Sequence, residues 1–594
     1  MKKHAYNLGI IGNCSFLSLI DDSANVKWQC WPKFDSSFIF GSLLDKEKGG
    51  NFSITSVDKN ATTNQYYIKN TNVLCTEFTS DRDAFRVTDF APRFEQFERN
   101  YRPLMLIRKI EPISGTPKIK VVCNPVGDYG NVKPNVQFGS NHLRYAGMDK
   151  SVRLTTDISL NFIEEEKPFV LTETKYLVLT WGVPLEGSIV ATAEEFLRKT
   201  INYWQNWIKL CSIESYLQEE IIRSALTLKL HQYEDTGAVI AACTTSLPEH
   251  HLSGRNWDYR YCWMRDSYYT LEALNQIGHF EEIKGYSSYI ENLARTEDKR
   301  YNPVYTIMGD QDFEEEIIDL EGYLGNKPVR IGNQAKEHIQ NDVYGQILVS
   351  LLPAYVDERY IHQGAVRNSK LVYELLESID RTMDEPDAGL WEFRNKSQKH
   401  CYTFLFHWAG ANAAKKIALK ISDVAMLKLS EGLIVAAADQ IEKCYDPELK
   451  AYTQAIGTKN MDASMLQLIT LGYLDSKSER AALHLKKLEE ELKTPEGLFY
   501  RYKHADDFGK PENTFLVCSF WYVEALACVG RISEAKATLE NLITYTNHLG
   551  MFSEDVHAQT GSQWGNFPQT YSHVGLMNAA SRISKSLGLP NFLG

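Results

Sequence analysis

The chain has no surplus of basic charge. Its 64 Lys and Arg stand against 76 Asp and Glu, a net charge of −12, so nothing is available to neutralise a phosphate backbone and nucleic-acid binding is not expected. No stretch reaches the 18 or so consecutive apolar residues of a membrane-spanning helix, so no membrane partner is expected. There is no CxxC, and the eleven cysteines, scattered from Cys14 to Cys528, lack the spacing of a metal site or a disulfide framework. They read as buried, reduced thiols, which makes a cytoplasmic location the expectation. The opening "MKKHAYNLGIIGNCSFLSLIDD" has two lysines but broken apolar runs and no small-residue cleavage site, unlike a secretory signal.

What the chain has is length and aromatic side chains. At 594 residues it exceeds one ordinary core, and two or more large units are expected. Aromatic residues make up 12%, with 32 Tyr and 11 Trp. Large cores account for such a share. Sugar-binding clefts also use aromatic faces against pyranose rings, and the excess leans that way.

Residues 1–190 read as strands. "NVLCTEFTS", "AFRVTDFAPRF", "LMLIRKIEP", "KIKVVCNP" and "KYLVLTWG" are short, β-branched or aromatic, and bounded by turn residues. Such a succession predicts an antiparallel β-sandwich. Residues 191–214 change period, and "AEEFLRKTINYWQNWIKL" predicts a connecting helix. From 215 to 594 about twelve helical stretches follow, the number expected of six helical hairpins closed into a toroid.

The connections between those helices are unequal. The long ones, among them "HLSGRNWDYRYCWMRD", "MDEPDAGLWEFRNKSQKHCYTF", "TPEGLFYRYKHADDFGKPENT" and "GMFSEDVHAQTGSQWGNFPQTYS", all follow odd-numbered helices. In an up-down ring such loops emerge at one end, so their Trp, Tyr, Arg, Asp and Glu residues converge on one mouth. Long loops on a rigid scaffold usually carry function.

Cleaving a glycosidic bond needs an acid for the leaving oxygen and a carboxylate that activates water or attacks the sugar. A lone glutamate on a loop is usually a solvated surface charge. Glu392 in "GLWEF" follows Trp391, an apolar wall that would favour a protonated carboxyl. Its partner belongs on another odd-to-even loop, and "MFSEDV" offers Glu554 and Asp555. In "RNWDYRYCWMRD" the charged Arg255, Asp258, Arg260, Arg265 and Asp266 alternate with Trp257, Tyr259, Tyr261 and Trp263. That stretch is either a salt-bridged loop or a set of groups for sugar hydroxyls. Arg501 in "GLFYRY" is open to both roles.

These motifs, together with "PVRIGNQ", "NDVYGQ", "FLVCSFW", "GNFPQTYSH" and the opening "YNLGIIGNCSFLSLIDDSANVKWQCWPKFDSSFIFGSLLD", resemble those of glycoside hydrolase family 15. That family holds glucoamylases, bacterial and archaeal trehalases, and related exo-glucosidases. The resemblance covers almost the whole chain. It implies an N-terminal β-sandwich followed by a catalytic (α/α)₆ barrel, with no metal and no organic cofactor. It implies Glu392 as general acid and Glu554 as general base of an inverting reaction, the two carboxyls roughly 6.5–9.5 Å apart. Arg265 and Asp266 match the pair that grips hydroxyls of the terminal glucose. Tyr259, Trp263 and Trp391 match residues around that subsite, as does Arg501, and Tyr571 stands where fungal glucoamylases carry Trp.

Fungal starch-acting members carry a second Glu directly after the acid, where this chain has Phe393. The departure turns the expectation from long starch chains to short α-glucosides or oligosaccharides, with β-glucose released from the nonreducing end. α,α-Trehalase and an isomaltose-type α-1,6 glucohydrolase are the alternatives within the family. Beyond it stand an inverting disaccharide phosphorylase, which needs one carboxylate only, and a non-catalytic sugar-binding regulator. A homo-oligomer is compatible with everything above.

Overall fold

In the N-terminal part, alternating apolar residues build antiparallel strands whose apolar faces meet. The computed structural model describes residues 3–296, 300–360 and 369–588. A seven-stranded sheet runs from Leu8–Gly12 through Leu17–Asp21, Asn25–Cys30, Asn51–Ser56 and Lys118–Asn124 to Phe169–Val170, with Phe38–Phe40 paired beside it. An eight-stranded sheet has Lys175–Trp181, Met105–Ser114 and Ala84–Phe90 at its centre. All pairings within the two sheets are antiparallel. One cluster of buried side chains, including Ile10, Val26, Ile54, Leu106, Val121 and Leu177, draws on both. The five strands read from sequence all form, though "AFRVTDFAPRF" divides at Ala91 into two.

Fourteen α-helices lie among the described residues: α1 (Leu160–Glu164), α2 (Ile189–Lys209), α3 (Gln218–His231), α4 (Met264–Gln276), α5 (Phe280–Thr296), α6 (Val343–Val356), α7 (Ser369–Thr382), α8 (Cys401–Ile421), α9 (Val424–Glu442), α10 (Gln467–Thr470), α11 (Glu479–Leu492), α12 (Leu516–Cys528), α13 (Ile532–Ile543) and α14 (Thr570–Leu587). The connecting stretch read near 193–210 is α2, which buries Trp204, Trp207 and Ile208.

From α3 onward the helices fall into two kinds. Helices α4, α8, α12 and α14 are buried over most of their length. Helices α11 and α13 bury one stripe each, such as Ala481, Leu485, Leu488 and Leu492, at the three-to-four spacing of an amphipathic helix. Side-chain caps start several of them: Asp423 accepts from the Met426 N–H at 2.9 Å and Ser478 from the Ala481 N–H at 3.2 Å. The buried helices contact one another in sequence, α4 with α6, α6 with α8, α10 with α12, α12 with α14, and α14 back with α4. Between α8 and α10 the contact passes through the 3₁₀ turn Ala463–Leu466. The connections that follow α3, α5, α7, α11 and α13 share one end of this closed series, and there they enclose a cleft.

Candidate active site

The cleft, counted with the solvent at its open mouth, spans about 830 Å³. Its wall takes Glu249, Trp257, Tyr259 and Trp263 from the α3–α4 connection, Asn333 and His338 from α5–α6, and Leu390 to Arg394 from α7–α8. Arg501, Tyr502, Asp506 and Phe508 come from α11–α12, and Gln569 and Tyr571 from the start of α14. Among the described residues, none of the first 190 lies on this wall. The sheets act from behind: Arg260 donates to the Ser36 carbonyl at 2.7 Å and the Tyr129 hydroxyl at 3.1 Å, and the Trp28 indole donates to the Cys243 carbonyl.

Glu392 sits on a turn closed by its own N–H, which donates to the Gly389 carbonyl. Its φ of +61° lies in the left-handed region, a conformation that costs a non-glycine residue about 1–3 kcal/mol and is kept where surrounding structure imposes it. Gly389, at φ +68°, permits the turn: a Cβ there would lie 2.6 Å from the His400 ring. Asp387 holds it from below, accepting from the Gly389 N–H at 3.0 Å and the Asn341 N–H at 2.9 Å. The Glu392 carboxylate accepts from the Trp263 indole at 2.8 Å and from Arg265 at 3.2 Å, and a fifth of the side chain is exposed to the cleft. The Trp391 indole turns aside and donates to Asp462 at 2.7 Å, with its ring near Tyr502, Phe515 and Trp521.

Glu554 is 1% exposed and does not itself border the cleft. Tyr259, which does, donates its hydroxyl to Glu554 Oε1 at 2.7 Å, and the Asn566 N–H donates to Oε2 at 3.1 Å. Gly565 makes room for the carboxylate, since a Cβ there would approach Oε2 to 2.5 Å. Burial, reinforced by the neighbouring Glu249 charge, pushes Glu554 upward from the ordinary carboxylate range, against the Tyr259 and Asn566 bonds and Arg501. Tyr259 and Trp263 have ring centroids 5.6 Å apart. The two carboxylates are therefore addressed by donors on adjacent rings, four residues apart in sequence.

Arg265 spreads its guanidinium over three acceptors: Glu392, the Tyr571 hydroxyl at 2.8 Å and Gln340 Oε1 at 3.0 Å. Asp266 is pushed up to about 7, chiefly by burial, with Arg265 opposing and Glu392 adding to the push. Arg501 pairs with Glu249 at 2.6 Å, and Glu249 also accepts from the Trp257 indole at 3.1 Å. Arg330 and Arg394 both lie 4.7 Å from the Trp257 ring centroid, and Phe508 meets that ring edge-on. Trp257 thus builds the wall and has little face left for a sugar.

Of the nine site residues read from sequence, Tyr259, Trp263, Arg265, Asp266, Trp391, Glu392, Arg501 and Tyr571 line the cleft, and Glu554 is joined to it through Tyr259. Asp258 and Arg260 form a fully buried pair at 2.6 Å, so this part of "RNWDYRYCWMRD" has the salt-bridged role that was left open. Sequence reading missed Glu249, His338 and Asp387. Glu249 lies on an odd-to-even connection, the one signal that pointed to it.

Residues 217–581 match the profile described as glycosyl hydrolases family 15, and residues 4–167 one described as trehalase-like, N-terminal. The chain is 33% identical to a trehalase of Thermoplasma volcanium, over 98% of this chain and 93% of the relative. It is 28% identical to a trehalase of Mycobacterium tuberculosis, over 97% and 90%. A bacterial glucoamylase solved with acarbose superposes with a TM-score of 0.69 at 15% identity, covering 98% of this chain and 95% of that one, which establishes a glucoamylase-like fold. The chain is a glycosidase, and it belongs to glycoside hydrolase family 15.

Proposed function

We propose that this glycosidase hydrolyses α,α-trehalose to two glucoses with inversion, Glu392 serving as general acid and Glu554 as general base. Hydrolysis of an α-glucoside is the broader activity. Among its specific forms the trehalase reading gains most support, because the relatives matched along nearly the whole chain carry that name. The observation that carries the mechanism is the pairing of each carboxylate with a donor on one short stretch, Trp263 with Glu392 and Tyr259 with Glu554. In this reading Arg265 and Asp266 hold hydroxyls of the nonreducing glucose. Glu392 protonates the interglycosidic oxygen, and Glu554 takes a proton from the water that attacks the opposite face, so one glucose leaves as the β-anomer. Phe393 packs near His400, Tyr502 and His504, which leaves no second carboxylate beside the acid.

The architecture that serves this reading is an N-terminal β-sandwich over residues 1–190, a connecting helix over 191–214 and an (α/α)₆ barrel over 215–594. Its support is the closed series of α4, α6, α8, α10, α12 and α14, with the remaining helices flanking them. The test is glucose release from trehalose, kojibiose, nigerose, maltose, isomaltose, maltoheptaose, soluble starch and dextran. The anomer is followed by NMR during the first minutes. Fastest turnover of trehalose with early β-glucose is the expected result. Faster turnover of another glucoside refutes the substrate, and early α-glucose alone refutes inversion.

A further inference from the structure

Nearly every polar side chain on the cleft wall is engaged by the protein. Arg394 pairs with Glu315 at 2.8 Å, Arg255 with Asp506, and Arg501 with Glu249. Asn333 spends its amide on the Asp258 carbonyl and the Ala335 N–H, and Gln569 accepts from the Tyr571 N–H. His338 is different. Among the described residues neither of its ring nitrogens has a hydrogen-bond partner; Nδ1 is shut away from solvent, which leaves Nε2 as the nitrogen that can meet a ligand in the cleft.

The surroundings of His338 locate it with respect to the chemistry. The next residue, Ile339, accepts through its carbonyl from the Ala388 N–H at 2.8 Å, beside the Glu392 turn. Gln340 holds Arg265 at 3.0 Å and the Asn341 N–H bonds to Asp387. The segment 338–341 is thus laced to the turn of the acid along one side of the cleft. The leaving sugar lies on the acid's side of the scissile bond, whereas Arg265 and Asp266 face the other ring in the hydrolase reading.

We propose that His338 is a specificity-determining residue for the leaving sugar, its imidazole hydrogen-bonding a hydroxyl of the departing glucose. The inference rests on the hydrolase reading above. Burial holds the ring below its ordinary value, with Arg394 acting the same way and Glu392, Glu337 and Asp507 opposing. A neutral imidazole offers one donor and one acceptor, which suits a hydroxyl better than a charged group. The partner is a neutral polyol ring; the bond forms in the bound complex and involves no proton transfer.

α-Glucosyl fluoride separates this role from all others, because its leaving group carries no hydroxyl. His338→Ala should lower kcat/KM on trehalose about tenfold or more, the worth of one hydrogen bond, and leave the fluoride within twofold. His338→Gln, which keeps a donor and an acceptor, should recover part of the loss on trehalose and guards against a folding defect in the alanine variant. Equal losses on both substrates, or unchanged trehalose turnover, overturn the proposal. The parent enzyme in the same assay separates the two readings. A parent inert toward trehalose refutes the trehalase reading and this one together; an active parent with an unaffected variant refutes this one alone.

Discussion

In the proposed mechanism, replacing Glu392 by Gln removes the proton donor and little else. The amide has the shape of the carboxylate, and its oxygen can still accept from the Trp263 indole at the 2.8 Å position. What is lost is the charge opposite Arg265, whose guanidinium keeps the Tyr571 hydroxyl and Gln340 as acceptors. The fold should survive with a melting temperature within a few degrees. Catalysis should not: general acid assistance to a sugar oxygen is worth about 10²–10⁴-fold, so kcat on trehalose should fall about 10³-fold, or roughly 4 kcal/mol of barrier. α-Glucosyl fluoride expels an anion that needs no proton, so the same variant should keep turnover within about tenfold of the parent. Glu554→Gln has the opposite pattern. Its amide oxygen can take the Asn566 N–H while its NH₂ turns to the Tyr259 hydroxyl, which then accepts. The water has lost its base, and both substrates should fall together by about 10³-fold. Initial rates of the two variants on the two substrates, beside their melting curves, decide the matter. Glu392→Gln losing both substrates equally, or Glu554→Gln retaining either, would refute the assignment of acid and base.

The proposed base, Glu554, must be ionised to act, and its proton affinity is raised by burial and by Glu249. The acid limb of kcat/KM on the fluoride should therefore lie above the ordinary glutamate value of about 4.3, activity falling as pH drops through it. Glu249→Gln removes the like charge and frees Arg501, so that limb should move to lower pH; movement to higher pH would contradict the electrostatic argument. Gly565→Ala sets a methyl against Glu554 Oε2 at a backbone φ of +76°, and should cost about 10² in kcat by displacing the base, read by single-turnover kinetics. Arg260→Ala leaves the buried Asp258 charge without its partner at 2.6 Å and should cost about 3–5 kcal/mol, measured by denaturant unfolding. His484 is buried and held neutral, accepting from the Tyr452 N–H and donating to the Met465 carbonyl, with its value lowered to about 4 by burial. The unfolded chain binds the proton first, so stability should fall as pH drops from about 6.5 to 4, by about 3 kcal/mol for this residue. Repeating the pH series with His484→Gln should make that slope shallower by this residue's share, while His231, His400 and His407, also lowered to about 4 by burial, keep the rest.

Period was the legible part of the chain. Strands with two-residue alternation and helices with a three-to-four stripe appear where the pattern put them, because one face of each element must reach a core. One of the twelve helical stretches read from sequence, "SMLQLITLGYL", shows the limit: it is mostly apolar, yet it makes a 3₁₀ turn and the single-turn α10. Asp462 caps its start through the Ser464 N–H, and Gly472 at φ +78° ends it. Apolar content alone did not contain that length. In the cleft, aromatic-rich loops were legible as a group. Glu249 was not, because its meaning depends on Arg501, which is 252 residues away, and one Glu after a proline has no period. His338 was hidden for a related reason: its distinguishing feature is a missing partner, and a missing partner has no sequence signature.

Among the described residues none of the first 190 lines the cleft, yet they support both proposed catalytic carboxylates. The Tyr6 N–H donates to Gln563 Oε1 at 3.0 Å, and the Tyr6 ring packs on Phe567 at 5.1 Å, on either side of the Gly565 and Asn566 that hold Glu554. On the other half, Arg260 is bonded to Ser36 and Tyr129 across the same interface, one residue after Tyr259 and three before Trp263. Glu392 accepts from Trp263 and Glu554 from Tyr259. A shift of that short stretch would move both carboxylates' donors at once. The sheets therefore act as the rigid backing of a loop that the helical unit alone would leave supported from one side. The proposed catalysis needs geometry at hydrogen-bond tolerance, and such a second support supplies it.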